Sequence, residues 1–287
     1  MDLTQNFVKA KRPCADGYKW FLRHYPGGSD YQRLLDALVQ ADRVSDACWL
    51  LRQFGPTDAV LTLDAIDTKA LVFAGTLIVR GEINVESVLM VGRNLRVAAG
   101  IRADTSIVAG ESIESAGHLY SGGTIESGGN IKASWGIEAA TEIDCKGNVR
   151  AGWDIRAGER ISVQGSLLAG QDITAQGAIR CGHGIRAGGR IVSQHDILAG
   201  NGIEAGSHIG SGLHLEAGWG VKAREAILAE GAIKAGEGLE AGDRISAGPG
   251  YGIYAGLNVR LNNWEDSARV IAPEKPTGLV SGCWQPR

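Results

Sequence analysis

Histidine and cysteine are the residue types of this sequence that could bind a metal ion or attack a substrate. Five of its six histidines lie in one central stretch, at positions 118, 183, 195, 208 and 214. A metal site needs imidazoles that converge on one point, whereas the repeat described below places His183 and His195 on different faces. The five cysteines are widely spaced without a C-x-x-C pair, which favours reduced thiols over a disulfide or zinc site. We therefore expect no metal site.

Motifs that define enzyme families do not occur in the sequence. It has no P-loop, G-x-S-x-G or H-E-x-x-H motif, and glycine pairs such as Gly182 and Gly184 are by-products of the repeat. Loops carry most catalytic groups in enzymes. The repeat has no inserted loop between Leu77 and Ile245, so this stretch lacks the usual place for such groups. We expect a protein that is not an enzyme and has no catalytic or cofactor-binding residue.

Three tryptophans of the central stretch are the first candidates for binding. Trp135 and Trp153 are eighteen residues apart, so an eighteen-residue coil would stack them at one corner, while Trp219 falls on another corner. Exposed tryptophan is typical of the energetic centre of protein interfaces. We predict that these tryptophans contact a protein partner; the alternative is that they pack against the N-terminal segment or the C-terminal tail.

Arginines concentrate in the same part of the chain. They stand at positions 150, 156, 160, 180, 186 and 190. Arg150, Arg156 and Arg186 join the tryptophans as predicted partner-binding residues, and their charge would suit an acidic partner surface. The alternative is that these side chains only form a solvated face.

Charge and hydropathy limit the partners further. Twenty-nine basic against thirty-two acidic residues give a net charge of −3, so the chain lacks the basic excess that nucleic-acid binding usually needs. No stretch approaches eighteen consecutive apolar residues, and the first residues carry no apolar signal segment. We expect a cytoplasmic protein with no membrane and no nucleic-acid partner.

A six-residue repeat positions all of these residues. From Leu77 to Ile245, every sixth residue is Ile, Leu or Val, for 29 consecutive positions that we call anchors. The residue two after each anchor is Ala, Ser, Val or Cys. Residues i and i+2 share one face of an extended strand but diverge on a helix. Each hexapeptide is therefore predicted to be a short strand with both residues turned inward.

Short strands that bend regularly and share one interior make a parallel β-helix. If three hexapeptides close one coil, residues i and i+18 stack. A weaker thirty-residue recurrence, seen at Leu167-Leu168-Ala169 and Ile197-Leu198-Ala199, leaves the coil length open. Glycine often follows the small residue, as at Gly110 and Gly152, and is expected there to adopt a left-handed corner conformation. The fold class is thus all-β, a single-stranded parallel β-helix with a small N-terminal α-helical cap.

The ends of the chain leave the repeat. Residues 1–56 are predicted to form a helical module, with one helix after an N-cap at Ser29 and a second from about Val44 to Gly55. The solenoid is predicted over 57–261, with a register slip at Gly248-Pro249-Gly250 that makes Ile253 and Val259 the next anchors. Residues 262–287 are predicted to form a capping tail. The solenoid needs such caps because its ends expose unpaired strand edges.

Two families resemble the hexapeptide array itself. It is similar to the left-handed β-helix of hexapeptide acyltransferases, which implies trimers and a histidine that works with acyl-coenzyme A. That family places its small residue four after the anchor, whereas it stands two after here, so no catalytic residue transfers. The array also looks like bactofilins, which implies a polymer-forming scaffold.

A third resemblance joins the two parts of the chain. The segment Cys14-Ala15-Asp16-Gly17-Tyr18-Lys19-Trp20 ahead of an Ala- and Gly-rich solenoid resembles proteins encoded beside bacterial polymorphic toxins, some of which are immunity proteins. This resemblance implies a protein that neutralises a toxin by direct binding, and it is the function that we expect. A bactofilin-like scaffold and an acyltransferase-like enzyme are the alternatives, and the oligomeric state stays open.

Overall fold

The computed structural model describes residues 2–259 and 263–287, which form a parallel β-solenoid of about twelve turns preceded by a small helical region. The predicted fold class is therefore confirmed. Most strands are three residues long, as in Ile155–Ala157, where the anchor and the small residue are buried and the residue between them points outward.

The strands line up in three parallel sheets, here called faces 1, 2 and 3 in the order in which the chain visits them. Face 1 contains Val60–Leu63, Thr76–Val79, Leu95–Val97, Ile113–Ser115, Ile131–Ala133, Val149–Ala151, Leu167–Ala169, Ile185–Ala187, Ile203–Ala205, Val221–Ala223, Leu239–Ala241, Arg269–Ile271 and Cys283–Gln285. Face 2 contains Ile66–Thr68, Ile83–Val85, Ile101–Ala103, Leu119–Ser121, Ile137–Ala139, Ile155–Ala157, Ile173–Ala175, Ile191–Ser193, Ile209–Ser211, Ile227–Ala229 and Ile245–Ser246. Face 3 contains Leu71–Phe73, Val88–Val91, Ser106–Ala109, Thr124–Ser127, Ile143–Cys145, Ile161–Val163, Ile179–Cys181, Ile197–Ala199, Leu215–Ala217, Ile233–Ala235, Ile253–Tyr254 and Leu279–Ser281.

The register shows that eighteen residues make one coil. Ile101 pairs with Ile83 on one side and with Leu119 on the other, and the same offset continues along the array. The prediction that anchors i and i+18 stack is confirmed, so the thirty-residue recurrence does not set the geometry.

The interior is a single apolar column made by the anchors and the small residues. Serine and cysteine fit the small position because they donate a hydrogen bond to a corner carbonyl. Ser115 Oγ donates to the carbonyl of Ala99 at 2.8 Å, and Cys145 Sγ donates to that of Gly129 at 3.0 Å. A polar atom can therefore replace a methyl group there without losing a partner.

The corner glycines between Leu77 and Ile245 do not adopt the predicted left-handed conformation. Positive φ values occur outside this stretch, for example at Gly55, at Gly250 and at Gly256 after the register slip, and not at Gly110 or Gly152. The reason for glycine is instead the close stacking of the coils, because a Cβ at Gly152 would collide with the carbonyl oxygen of Ser134 in the preceding coil. The prediction that these corners require glycine is therefore confirmed, but the reason given for it, a left-handed backbone, was wrong.

The helical module contains four helices, of which the sequence predicted the last two. They are α1 (Gln5–Ala10), α2 (Ala15–His24), α3 (Tyr31–Gln40) and α4 (Val44–Phe54). The N-cap of α3 is Asp30, whose carboxylate accepts from Arg33 N at 3.2 Å, and the predicted cap Ser29 instead pairs with Leu3 in a two-stranded antiparallel ribbon.

This module covers the outer surface of face 3 at its first coils. Its apolar cluster includes the outward side chains Val72 and Met90. Gln32 in α3 also pairs with the free edge of the first strand of face 3, because its amide donates to Val72 O at 3.0 Å and accepts from Ala74 N at 2.9 Å. A side chain thus supplies the hydrogen bonds that a further strand would make.

The tail continues the ladder after the predicted slip. Ile253 pairs with Ile233, twenty residues earlier, and is fully buried. Val259 is not in a strand, contrary to the prediction, and Val270 takes its place beside Leu239 in face 1. A short helix, α5 (Trp264–Ser267), precedes that strand.

The predicted boundary between residues 261 and 262 lies outside the described residues, and the division into 1–56, 57–261 and 262–287 stays a prediction. None of the helices in the described residues is long and apolar enough to cross a membrane.

Candidate functional site

All three candidate tryptophans border face 1. Trp135 and Trp153 lie at the corner where the chain leaves face 1 for face 2, directly after Ile131–Ala133 and Val149–Ala151. Trp219 lies at the opposite corner, where the chain enters face 1 before Val221–Ala223. The predicted placement on two corners is confirmed, and it leaves face 1 between them.

The indole rings of Trp135 and Trp153 stack on each other. Their centroids are 5.7 Å apart and their planes differ by 8°, a parallel geometry within the range of favourable aromatic pairs. They are nevertheless 53% and 57% exposed, and Trp219 is 46% exposed. More than half of the surface of Trp135 and of Trp153 is open to solvent, so packing against the helical module or the tail does not describe this pair. Trp219 borders a depression that it shares with Ser267 and Arg269 of the tail.

Two other tryptophans show what a structural role looks like in this protein. Trp264 Nε1 donates to the carbonyl of Gly256 at 3.1 Å, and Trp284 Nε1 donates to that of Ala272 at 3.2 Å. The first bond fastens the tail to the last solenoid coil, and the second joins two segments of the tail. Trp135 and Trp153 make no such bond to any described residue, which leaves their N–H groups available to water or to a partner.

Two cations stand beside the stacked pair on face 1. Lys132 and Arg150 are register partners in adjacent strands, and each precedes its tryptophan by three residues in the same coil. Both side chains are exposed, and neither forms an ion pair with a described residue. Sequence reasoning missed Lys132 as a site residue, although its eighteen-residue distance from Arg150 was visible.

Elsewhere in this outward column of face 1, opposite charges neighbour each other. Three pairs of consecutive strands place a cation against a glutamate: Arg96 with Glu114 at 4.0 Å, Arg186 with Glu204 at 3.4 Å, and Lys222 with Glu240 at 2.8 Å. Lys132 and Arg150 are thus a departure from the charge pattern of their own column. Lys132 also adjoins Glu114, so the departure begins at Arg150. Because like charges in direct register destabilise a sheet, stability does not account for Arg150 beside Lys132.

The structure does not bring the six predicted arginines together. Arg150 and Arg186 lie on face 1 with Leu168 between them, Arg156 lies on face 2, and Arg180 lies on face 3. Four of the six form ion pairs: Arg156 with Asp154, Arg160 with Glu142, Arg186 with Glu204, and Arg190 with Asp172. The basic patch expected from the sequence is therefore reduced to Arg150 and its neighbour Lys132.

A separate depression of about 730 Å³ lies beside Trp219. Its floor includes the backbone of Gly202 and Gly220, and its wall includes the paired side chains Lys222 and Glu240. Arg186 also lines it. Arg186 and Lys222 are each paired with a glutamate here, and the third lining cation, Arg269, donates to the carbonyl of Asp266, so this depression lacks the register pair of unpaired cations found beside Trp135.

The five histidines of the array occupy corners, and two of them make hydrogen bonds with the backbone of the neighbouring coil. His214 Nδ1 lies 3.0 Å from Ala232 N one coil later, and His195 Nδ1 lies 3.1 Å from Gln176 O. Over residues 2–259 and 263–287, no group of three His, Cys, Asp or Glu side chains is arranged to hold a metal ion.

The two cysteines of the array are free and buried in one column of face 3. Cys145 and Cys181 are separated by Val163, two coils apart as predicted. Burial raises the pKa of the Cys145 thiol to about 11 and also raises the pKa of Cys181. Both thiols stay protonated at neutral pH, which suits a packing role and not that of a nucleophile.

One comparison with known proteins finds a match, and it covers the helical module. Residues 1–54 match the family model described as the YdhT N-terminal domain. Searches of curated proteins and of solved structures give no significant match. The match includes all four helices of the module and ends before the first solenoid strand.

Proposed function

We propose that this chain is a non-enzymatic, protein-binding β-solenoid whose binding surface is face 1 with its two tryptophan corners. The observation that carries the proposal is the stacked, more than half exposed pair of Trp135 and Trp153 beside two unpaired cations. Large exposed aromatic rings next to charged side chains are the usual composition of interface centres. In its most specific form, the proposal is an immunity protein that neutralises a bacterial toxin in the cytoplasm.

The scaffold supports this role through its rigidity. Each coil is held to its neighbours by in-register ladders on three sides, so the relative positions of the corner side chains are fixed before a partner arrives. A preformed surface lowers the ordering cost of association. The helical module covers only the first coils of face 3 and leaves face 1 open to a partner.

The first experiment identifies the partner by position. A photo-crosslinking phenylalanine derivative replaces Trp135 in the native host, and the matched control carries it at Lys234, an exposed residue of face 3. We expect one protein to crosslink from position 135 and not from position 234. Equal crosslinking from both positions, or none from 135, would overturn face 1 as the binding surface.

The second experiment tests neutralisation. The identified partner is expressed in a heterologous bacterium with or without this chain, and growth is followed. We expect the chain to restore growth, and the double variant Trp135→Ala/Trp153→Ala to lose the protection. A partner that is harmless to cells would remove the immunity role while leaving the binding role in place.

The two alternatives have their own readouts on the same purified protein. Filaments in negative-stain electron microscopy would favour the bactofilin-like scaffold. The side-chain pairing of Gln32 with the first strand of face 3 acts against end-to-end growth at that edge. A rise in melting temperature with acyl-coenzyme A would favour the acyltransferase-like enzyme.

A further inference from the structure

The corner at Trp135 and Trp153 repeats one four-residue arrangement in two adjacent coils. Lys132-Ala133-Ser134-Trp135 and Arg150-Ala151-Gly152-Trp153 each present a cation on face 1 and an indole at the corner, eighteen residues apart and in register. The following coil breaks the arrangement, because Leu168 and Gln171 stand at the equivalent positions. The doubled arrangement therefore has a defined length of two coils.

We infer that this surface binds an acidic, extended polypeptide segment of the partner, with carboxylates on Lys132 and Arg150 and an aromatic ring against the indole pair. The inference rests on the proposed binding role of face 1 and deepens it by naming the class of partner surface. It follows from charge complementarity, since two cations in direct register without an anion between them repel each other until an anionic group arrives.

The limits of the patch favour carboxylates of a protein over a long polyanion. Glu114 adjoins Lys132 in the same column, and Glu138 and Asp154 lie just around the corner. A nucleic-acid backbone that continued past the two cations would meet these acidic side chains. A short segment with two carboxylates would not, and the net charge of −3 acts in the same direction.

The test uses defined probes and the full chain. A twelve-residue peptide in which Glu alternates with Tyr is titrated by calorimetry, and the indole N–H resonances of Trp135 and Trp153 are followed by NMR. The same peptide with Gln in place of Glu measures the contribution of charge. We expect the Glu peptide to bind at least tenfold more tightly, to shift both indole resonances, and to weaken with added salt.

A matched pair of variants separates local recognition from general electrostatics. Lys132→Gln/Arg150→Gln removes the unpaired cations, whereas Arg96→Gln/Lys222→Gln removes two cations of the same column that glutamates already neutralise. We expect a loss of at least tenfold in peptide affinity for the first variant and less than twofold for the second. Equal losses, no preference for the Glu peptide, or tighter binding of an eighteen-residue oligothymidylate would each overturn the inference.

Failure of this inference can be distinguished from failure of the proposed function. If Trp135→Ala/Trp153→Ala abolishes capture of the crosslinked partner while Lys132→Gln/Arg150→Gln does not, face 1 binds a partner that is not acidic. If neither variant affects capture, the proposed function itself fails.

Discussion

The inside and the outside of the same coils follow different rules. Inside, every anchor between Leu77 and Ile245 is an aliphatic residue that stacks on its equivalent one coil away. Outside, stacked residues of one column differ in charge and type from coil to coil, as in the series Glu114, Lys132, Arg150 and Leu168. The interior repeats because each coil must fit the next, whereas the exterior is free to vary, so we expect individual binding properties where the outer pattern is broken.

The largest expected effect separates the inner and outer residues of a single strand. In Ile179–Cys181, Ile179 is fully buried between Ile161 and Ile197, and Arg180 is exposed without an ion pair to a described residue. Ile179→Ala should lower the free energy of unfolding by about 2–5 kcal/mol through lost burial and a cavity. Arg180→Ala should change it by less than about 0.5 kcal/mol.

Urea unfolding followed by circular dichroism measures both variants. Similar losses for Ile179→Ala and Arg180→Ala would show that the outer residues also hold the coils together, and the contrast between inside and outside would fail.

A smaller effect is expected at the corners, where inside meets outside. A Cβ at Gly170 would collide with the carbonyl of Gly152, whereas a Cβ at Gly100 would meet its nearest neighbour, His118 O, at 3.5 Å. Gly170→Ala should therefore destabilise the protein by about 1–3 kcal/mol. Gly100→Ala should be neutral or stabilising by about 0.4–1 kcal/mol, because alanine restricts the unfolded chain.

Thermal unfolding of the two glycine variants checks this pair. Equal melting temperatures for the two variants would mean that the coils can move apart to admit a methyl group. Close coil stacking would then not explain why glycine occurs at these corners.

These contrasts explain which features could be predicted from the sequence. The spacing of Leu77, Ile83 and Leu89 predicts the strands, whereas the coil length of eighteen residues was one of two possibilities until the strand register decided it. The stacking of Trp135 on Trp153 follows from that coil length. The corner glycines were predicted with the wrong cause, since the close approach of two coils is a property of the assembled stack. The N-cap at Asp30 was also missed, because two adjacent polar residues compete and the pairing of Ser29 with Leu3 decides between them.

The six arginines lie apart in the structure for a related reason. Residues that are close in sequence lie on different faces of the solenoid, as Arg150, Arg156 and Arg180 do. Only an offset of eighteen places side chains in one column. Applied to Arg150, that offset leads to Lys132, which completes the proposed binding site.

The buried thiol of Cys145 should make the stability of the protein depend on pH more strongly than in a variant without it. Burial raises the pKa of Cys145 from 9.0 to about 11, so the unfolded chain ionises first as the pH increases. This contribution to stability is complete below pH 9 and is lost as the pH rises toward 11. Cys145→Ala carries the residue most frequent at this position, and its stability should fall less over the same pH range.

Urea unfolding of both proteins at pH 8 and pH 10.5 measures the difference. Parallel decreases in wild type and Cys145→Ala would assign the pH dependence to other groups. Thiol labelling at pH 8 gives an independent check, since the exposed Cys14 should react much faster than Cys145.

The smallest effect concerns the outer column, where binding and stability are expected to oppose each other. Arg150→Glu would place an anion beside Lys132 and extend the alternation that Arg96, Glu114 and Lys132 begin. Replacing a like-charged neighbour with an opposite one should stabilise the sheet by about 0.2–1 kcal/mol. The same change should abolish binding of the Glu peptide, because one of its two cations becomes an anion. Higher stability with lost binding would indicate that the cation pair is kept for its partner, whereas lower stability would show that the repulsion between Lys132 and Arg150 is negligible.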